Sequence, residues 1–301
     1  MRILLWCGLI TAAFFGCQKS SQKTEKAASG AIQSETLKAV TFNIRYGTAE
    51  DGPNRWDRRR ESVFTLLAEY GADVLALQEA LDFQVEQIGR ALPAYDYVFV
   101  CRDDGKRAGE SCPIFYRKDR FERLDTGTFW FSDTPDIPGS KHWGNQIPRI
   151  CTWICLRERT SRRPLWIYNV HLDHQSQSSR EKSIQLLAEK IMSLPAGSAV
   201  IVLGDFNMDL LNPALEPLLS EQGPALRDAW QTLFPDRQPV GTWHDFGRRL
   251  NTAKIDHILL PQGLSVLQAE IDQRTFEGHY PSDHFPVWAV IQWPPKSAEV
   301  N

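Results

Sequence analysis

The chain runs through Tyr95–Cys101, Pro113–Arg117 and Phe121–Phe131, strand-like segments with little room for helices between them, and after a Pro/Gly-rich loop over 132–148 through the strands Ile150–Leu156 and Leu165–Val170, joined by a polar turn. A parallel crossover needs about a dozen residues or more, usually a helix, so the sheets must be mixed rather than purely parallel. The flanking segments obey a different rule. Leu37–Ile44 reads as a strand. Asp57–Tyr70 reads as a helix with Val63, Leu66, Leu67 and Tyr70 on one face, and Val74–Leu77 is a short buried strand. Phe83–Leu92 is helical and stops before Pro93, and Ser178–Leu194 carries Ile184, Leu187 and Ile191 at helical spacing. Ala199–Leu203, Lys254–Leu260, Leu264–Ile271 and Phe285–Trp293 complete the strands. Mixed pairing together with alternating helices predicts an α/β domain with mixed sheets and flanking helices. No solenoid period and no second domain boundary interrupts it.

The N-terminus follows other constraints. Arg2 precedes an apolar stretch, Ile3–Phe15, too short to span a membrane but suited to a signal peptide. Cys17 after Gly16 is similar to a bacterial lipoprotein signal, although Phe14 and Phe15 depart from it. A signal peptide is therefore expected over 1–17, a Ser/Lys/Gln-rich tether over 18–35 and a catalytic domain over 36–295. The expected location is outside the cytoplasm, in the periplasm or anchored to the outer membrane through a lipid on Cys17. Cys101 and Cys112 could close a disulfide loop there or remain buried thiols, and Cys151 and Cys155 should face one side of their strand. A formal charge of −3 argues against a protein gripping long nucleic acid through its backbone, and leaves small phosphorylated substrates open.

Polar residues recur where apolar runs end. Asn43 lies near the end of the first strand and Glu79 follows another, His171, Asp173 and His174 follow Val170, and Asp205 and Asn207 follow Leu203. Asp256 and His257 sit inside an apolar segment, and Asp283-His284 precede the last strand. A buried carboxylate such as Asp256 requires a partner. Glu79 offers an oxygen ligand suited to Mg²⁺ or Mn²⁺, and Asn43 a neutral carbonyl. No H-E-x-x-H or cysteine cluster points to zinc. Each piece alone is a common turn or strand cap. Phosphate ester hydrolysis needs a positioned water, a base and positive groups, and Asp205, Asn207, His171 and His284 are of the right types.

In order, Thr41-Phe42-Asn43, Gln78-Glu79, Asn169-Val170-His171, Gly204-Asp205-Phe206-Asn207, Ile255-Asp256-His257 and Ser282-Asp283-His284 resemble the endonuclease/exonuclease/phosphatase superfamily, from about residue 37 to 293. Arg45-Tyr46, Arg55-Trp56, Arg102 to Lys106, Gly109-Glu110, Gly127 to Trp130 and Pro148-Arg149 are similar to a group of exported bacterial members. The resemblance implies a four-layer α/β sandwich, two mixed β-sheets face to face flanked by helices, with the site at one edge. It implies Asn43, Glu79 and Asp283 around the metal, Asp205 as base toward water, Asn207 and His171 on phosphate, and His284 as a cation held by Asp256. Arg102 and Arg149 are expected to bind anionic parts of the substrate. His257 stands where relatives have an aromatic residue, and so reads as a supporting or packing group. Asp173 and His174 could join the site or cap the strand, and Trp56, Trp130, Trp143 and Trp243 could wall a pocket.

The expected activity is Mg²⁺- or Mn²⁺-dependent hydrolysis of a phosphomonoester or phosphodiester by a monomer, on a small molecule, a nucleotide or RNA. Two other classes compete. One is a phosphate-ligand binder that has lost catalysis. The other is a glycosidase built on paired carboxylates, which leaves His284 and the Asp-x-Asn spacing unexplained.

Overall fold

In chain order the elements are β1 (Thr36–Asn43), α1 (Trp56–Tyr70), β2 (Val74–Gln78), β3 (Ala80–Leu81), α2 (Asp82–Ala91) and β4 (Tyr95–Val98). There follow β5 (Glu110–Ser111), β6 (Ile114–Arg117), β7 (Phe121–Trp130), β8 (Ile150–Glu158), β9 (Pro164–His171), α3 (Gln177–Met192) and β10 (Ala199–Asp205). The chain ends through α4 (Glu216–Leu219), β11 (Leu226–Asp228), α5 (Ala229–Leu233), β12 (Asp256–Pro261), β13 (Ser265–Ile271) and β14 (Val287–Gln292). These come from a computed structural model that describes residues 36–292, so the expected signal peptide and tether, and residues 293–295 of the expected domain, lie outside the described residues.

Two sheets carry the fold, ordered β13-β14-β1-β2-β6-β4 and β11-β12-β10-β9-β8-β7. Each is built on one parallel pair, β1 with β2 and β9 with β10, whose crossovers run through α1 and α3. Their other neighbours run antiparallel. The mixed pairing inferred from the helix-free stretch is therefore the observed one. Ala39, Ala76, Ile114, Ile167, Leu203, Ile258 and Val287 fill the layer between the sheets. Val63, Leu66, Leu67, Val85 and Ile88 of α1 and α2 seal the outer face of the first sheet, and Ile184, Leu187 and Ile191 of α3 that of the second. The result is the four-layer α/β sandwich. Fully burying each such side chain stabilises by about 1.5–3 kcal/mol relative to exposure.

Strand direction explains why chemistry gathers at one edge. Parallel strands end where their antiparallel neighbours begin, so the ends of β1, β2, β9 and β10 meet the starts of β8, β12 and β14. The register pairs Asn43 with Gln78, Asp205 with both His171 and Asp256, and His171 with Ile150. Beneath that edge a buried polar clasp joins the sheets. Gln78 Nε2 donates to Asn169 Oδ1 at 2.7 Å, and Asn169 Nδ2 donates to the carbonyls of Leu77 (2.8 Å) and Pro113 (2.9 Å). Unpaired groups at that depth would cost free energy, so the clasp fixes the relative placement of the two halves. Cys101, Cys112, Cys151 and Cys155 are buried free thiols.

Candidate active site

The end of β1 places Asn43 between two carboxylates. Its Nδ2 donates to Glu79 Oε1 at 3.1 Å and to Asp205 Oδ2 at 3.0 Å, while its Oδ1 accepts from Arg45 N–H at 3.0 Å. One buried amide thus orients an acid from each sheet. The backbone is bent to do this. Arg45, Glu79 and Asn207 all take left-handed φ, at 58°, 59° and 51°. Such residues cost on the order of 1 kcal/mol or more each, and persist where surroundings over-determine them. Glu79 Oε2 accepts from Tyr46 N–H, and Asp205 Oδ1 accepts from Asn207 N–H at 2.9 Å. Gly204 is required before Asp205, because a Cβ there would lie 2.0 Å from the Val170 carbonyl oxygen.

His284 stands across from this acid pair. Its Nδ1 lies 2.9 Å from Asp256 Oδ2 and its Nε2 3.8 Å from Asp205 Oδ2. Burial opposes its charge, but Asp256, Asp205 and Asp283 outweigh burial and push the imidazole up to about 10. The carboxyl of Asp205 is pushed up to about 7, first by burial and then by Asp256, with His284 pulling the other way. Asp283 is raised by burial, and the charge of Glu79 adds to it. Ser282 Oγ donates to Asn43 O at 2.7 Å, tying the 281–284 loop to β1.

The opposite wall is basic and already partnered. The buried Arg149 donates to Asp173 Oδ2 (3.4 Å), His171 Nε2 (3.0 Å) and His174 Nδ1 (2.7 Å). A guanidinium has no acceptor, so both imidazole nitrogens act as acceptors there. Burial, with Arg149 next, holds His171 well below its ordinary value. Asp173 also caps the following turn through Gln175 and Ser176 N–H, so it serves the strand end and the wall together. Arg102 pairs bidentately with Glu110 at 2.7 Å on both arms. Glu110, in β5 paired with β3, brings its carboxylate to the mouth of β2, where burial and then Glu79 push it up to about 7.

Of these residues Glu79, Arg102, Glu110, Arg149, His171, His174, Asp205, Asn207, Asp283 and His284 line a cleft of about 420 Å³ with Arg45, Tyr46, Ile147 and Trp243, and Asn43 is fully buried beneath them. Trp56 and Trp130 are buried, and Trp143 donates to Asp133, so of the four tryptophans singled out only Trp243 borders the cleft. Asp256 lies behind His284, and His257 turns away. His257 Nε2 lies 3.0 Å from Met208 O, and its Nδ1 meets Asp228 Oδ2 (3.1 Å) and Lys254 Nζ (2.8 Å) in a buried triad. That triad anchors the turn after Asp205.

Reading the sequence missed Glu110 as part of the acid cluster. Its ligand oxygen, one from Glu79 and a ring nitrogen of His171 lie within 4.8 Å of one another. The signals in the sequence were the Gly109-Glu110 pair of the family resemblance and its nearness to Arg102, neither of which assigns it a role. The oxygen donors of Glu79, Glu110 and Asp283, with the charge of Glu79 repelling the other two, fit a hard divalent cation such as Mg²⁺ or Mn²⁺.

Comparison with known proteins bears on this arrangement. The family model for the Endonuclease/Exonuclease/phosphatase family matches residues 40–284. A solved endonuclease/exonuclease/phosphatase from Bacteroides vulgatus is 33% identical, with a TM-score of 0.80, covering 86% of this chain and 99% of that one. A mannosyl-6-phosphatase from Bacteroides thetaiotaomicron is 29% identical, with a TM-score of 0.78, covering 85% of this chain and 100% of that one. Among curated proteins, the CCR4-Not complex 3'-5'-exoribonuclease subunit Ccr4 of Mycosarcoma maydis is 27% identical over 173 residues, covering 49% of this chain and 26% of that protein.

Proposed function

The chain belongs to the Endonuclease/Exonuclease/phosphatase family, and from that premise we propose that it hydrolyses a small phosphorylated substrate, a phosphomonoester first, by divalent-metal-assisted attack of water. The observation that carries this reading is the placement of cationic His284 opposite Asp205 and within one cleft with Glu79 and Asp283. Glu79 and Asp283, with Asn43 and Glu110 beside them, would hold the metal. A bound divalent cation polarises phosphoryl oxygens and neutralises developing charge.

The rest is done by this chain's side chains. Asp205, its carboxyl pushed up to about 7, accepts the proton of the attacking water, and Asn43 keeps its carboxylate aimed. His284 keeps its charge through the physiological range and stabilises the phosphate oxygens, with Asp256 fixing its ring. Asn207 and His171 meet phosphate oxygens, and Arg102 and Arg149 steer the substrate's anionic portion. A phosphomonoester is favoured by the bounded cleft, its partnered basic wall, and 29% identity along the whole of a mannosyl-6-phosphatase. Export and a lipid on Cys17 belong to this proposal too, resting on the composition of residues 1–35.

Asp205→Asn separates the enzyme from a binder on the same fold. Turnover should fall by about 100-fold or more with substrate affinity retained. A variant that keeps both turnover and affinity removes Asp205 as the base.

A further inference from the structure

Arg59 lies on α1, outside the cleft, yet the residue is 4% exposed and its guanidinium is aimed at the strand ends. Nε donates to Asn54 O at 2.9 Å, Nη1 to Ile44 O at 2.6 Å and Pro281 O at 3.0 Å, and Nη2 to Arg45 O at 2.8 Å. Among the described residues no carboxylate pairs with it directly. Burial lowers it to about 10, so it stays cationic at neutral pH, and Asp283, Asp51 and Glu79 favour its charge from a distance. A buried charge met by carbonyls and by the ring faces of Trp56 (5.1 Å) and Phe246 (5.9 Å), with no carboxylate partner, is costly unless the geometry it enforces is needed.

The segments it gathers identify that need. Ile44 and Arg45 follow Asn43 directly, and the N–H groups of Arg45 and Tyr46 hold Asn43 Oδ1 and Glu79 Oε2. Pro281 opens the loop that carries Asp283 and His284. One planar fork therefore bridges the β1 end and the 281–284 loop, the two sides of the acid cluster, alongside the Ser282–Asn43 bond. Lysine offers a point charge and cannot span these acceptors in one plane.

Resting on the metal-dependent reading above, we propose that Arg59 is a positioning residue that preorganises Glu79 and Asp283 for the divalent cation, by clamping the Ile44–Arg45 and Pro281 carbonyls from outside the cleft. It touches neither metal nor substrate. Groups that orient metal ligands are worth about 10- to 100-fold in metal affinity.

A second surface cleft, of about 510 Å³, is lined by Arg59 together with Asn54, Phe276, His279 and Tyr280, so truncating the side chain should open its position to small solutes. That permits chemical rescue. Mn²⁺ binding to the full chain is measured by the loss of the free-ion electron paramagnetic resonance signal, for wild type, Arg59→Ala and Arg59→Lys, with and without methylguanidinium. Melting curves identify which variants are folded. The expected result is Mn²⁺ binding weakened about 10- to 100-fold in Arg59→Ala, recovered with methylguanidinium, and a partial loss in Arg59→Lys that methylguanidinium does not repair. Should Arg59→Ala fail to fold, the lysine variant decides through its Mn²⁺ affinity. A folded variant of either kind with wild-type affinity overturns the proposal, as does a loss in Arg59→Ala that methylguanidinium leaves in place. A wild-type protein that binds no Mn²⁺ overturns the metal reading itself, and this inference with it.

Discussion

Replacing Asp256 by Asn removes a charge while keeping an oxygen able to accept from His284 Nδ1, so it isolates the electrostatics of the clamp from its geometry. His284 is held at about 10, with burial opposing and Asp256 foremost among the groups raising it. Against an ordinary imidazole near 6.5, that is a preference for the charged form on the order of 5 kcal/mol. Without Asp256, burial faces only Asp205 and Asp283, and the imidazole should lose its proton below neutrality. Two readouts follow. Nitrogen-15 NMR of the histidine ring should show its titration falling by about three pH units or more. At pH 8, kcat should drop by about 100- to 1,000-fold, as when a donor to a developing oxyanion is lost, and should recover in part as the pH is lowered. His284→Ala should cost about as much as Asp256→Asn, and the double variant no more than either, because the pair acts as a unit. An Asp256→Asn enzyme with an unmoved titration, or with kcat at pH 8 within about threefold of wild type, would refute the reasoning.

Proton linkage offers a second check. Glu110 and Asp205, both pushed up to about 7, must be deprotonated to serve a cation, so Mn²⁺ affinity should rise as pH climbs from about 6 to 8. Calorimetry in buffers of different ionisation enthalpy should register released protons, and a pH-independent affinity would contradict the assignment. Lys254→Met leaves Asp228 and His257 buried without their cation, and should lower stability by about 3–5 kcal/mol in denaturant titrations. The carboxyl of Asp228 is held well below the usual range. Burial works against that shift, and Lys254 and His257 overcome it. Its contribution is therefore present above about pH 4 and lost as pH falls further, and the variant should lose that acid-dependent component.

Which parts of this molecule the sequence discloses follows from the range of the interactions involved. Strand ends are local events. The drop from Val170 to His171, or from Leu203 through Gly204 to Asp205, marks a buried run giving way to polar groups, and mixed pairing brings such ends to one edge. Hence Asn43, Glu79, His171, Asp205 and His284 could be collected from spacing and resemblance, and the helices α1 to α3 from periodicity. What stayed hidden depends on partners distant in the chain. Glu110 resembles an ordinary loop charge until β5 pairs with β3 and lays it beside Glu79. Arg59 resembles a solvated helical cation in the run Arg58-Arg59-Arg60 until the carbonyls of Ile44 and Pro281 surround it. His257, read as support or packing, finds its partners in Asp228, 29 positions away, and Lys254. The short elements β11, α4 and α5 escaped notice because three to five residues carry no readable period.

The measurement closest to the central claim is phosphate release by the full chain from a panel of phosphomonoesters, phosphodiesters, nucleotides and RNA, with Mg²⁺, Mn²⁺ or EDTA, alongside Asp205→Asn. The account expects release that requires the metal, is greatest on a phosphomonoester, and collapses in the variant. Release that survives full chelation, or that Asp205→Asn leaves unchanged, would contradict it.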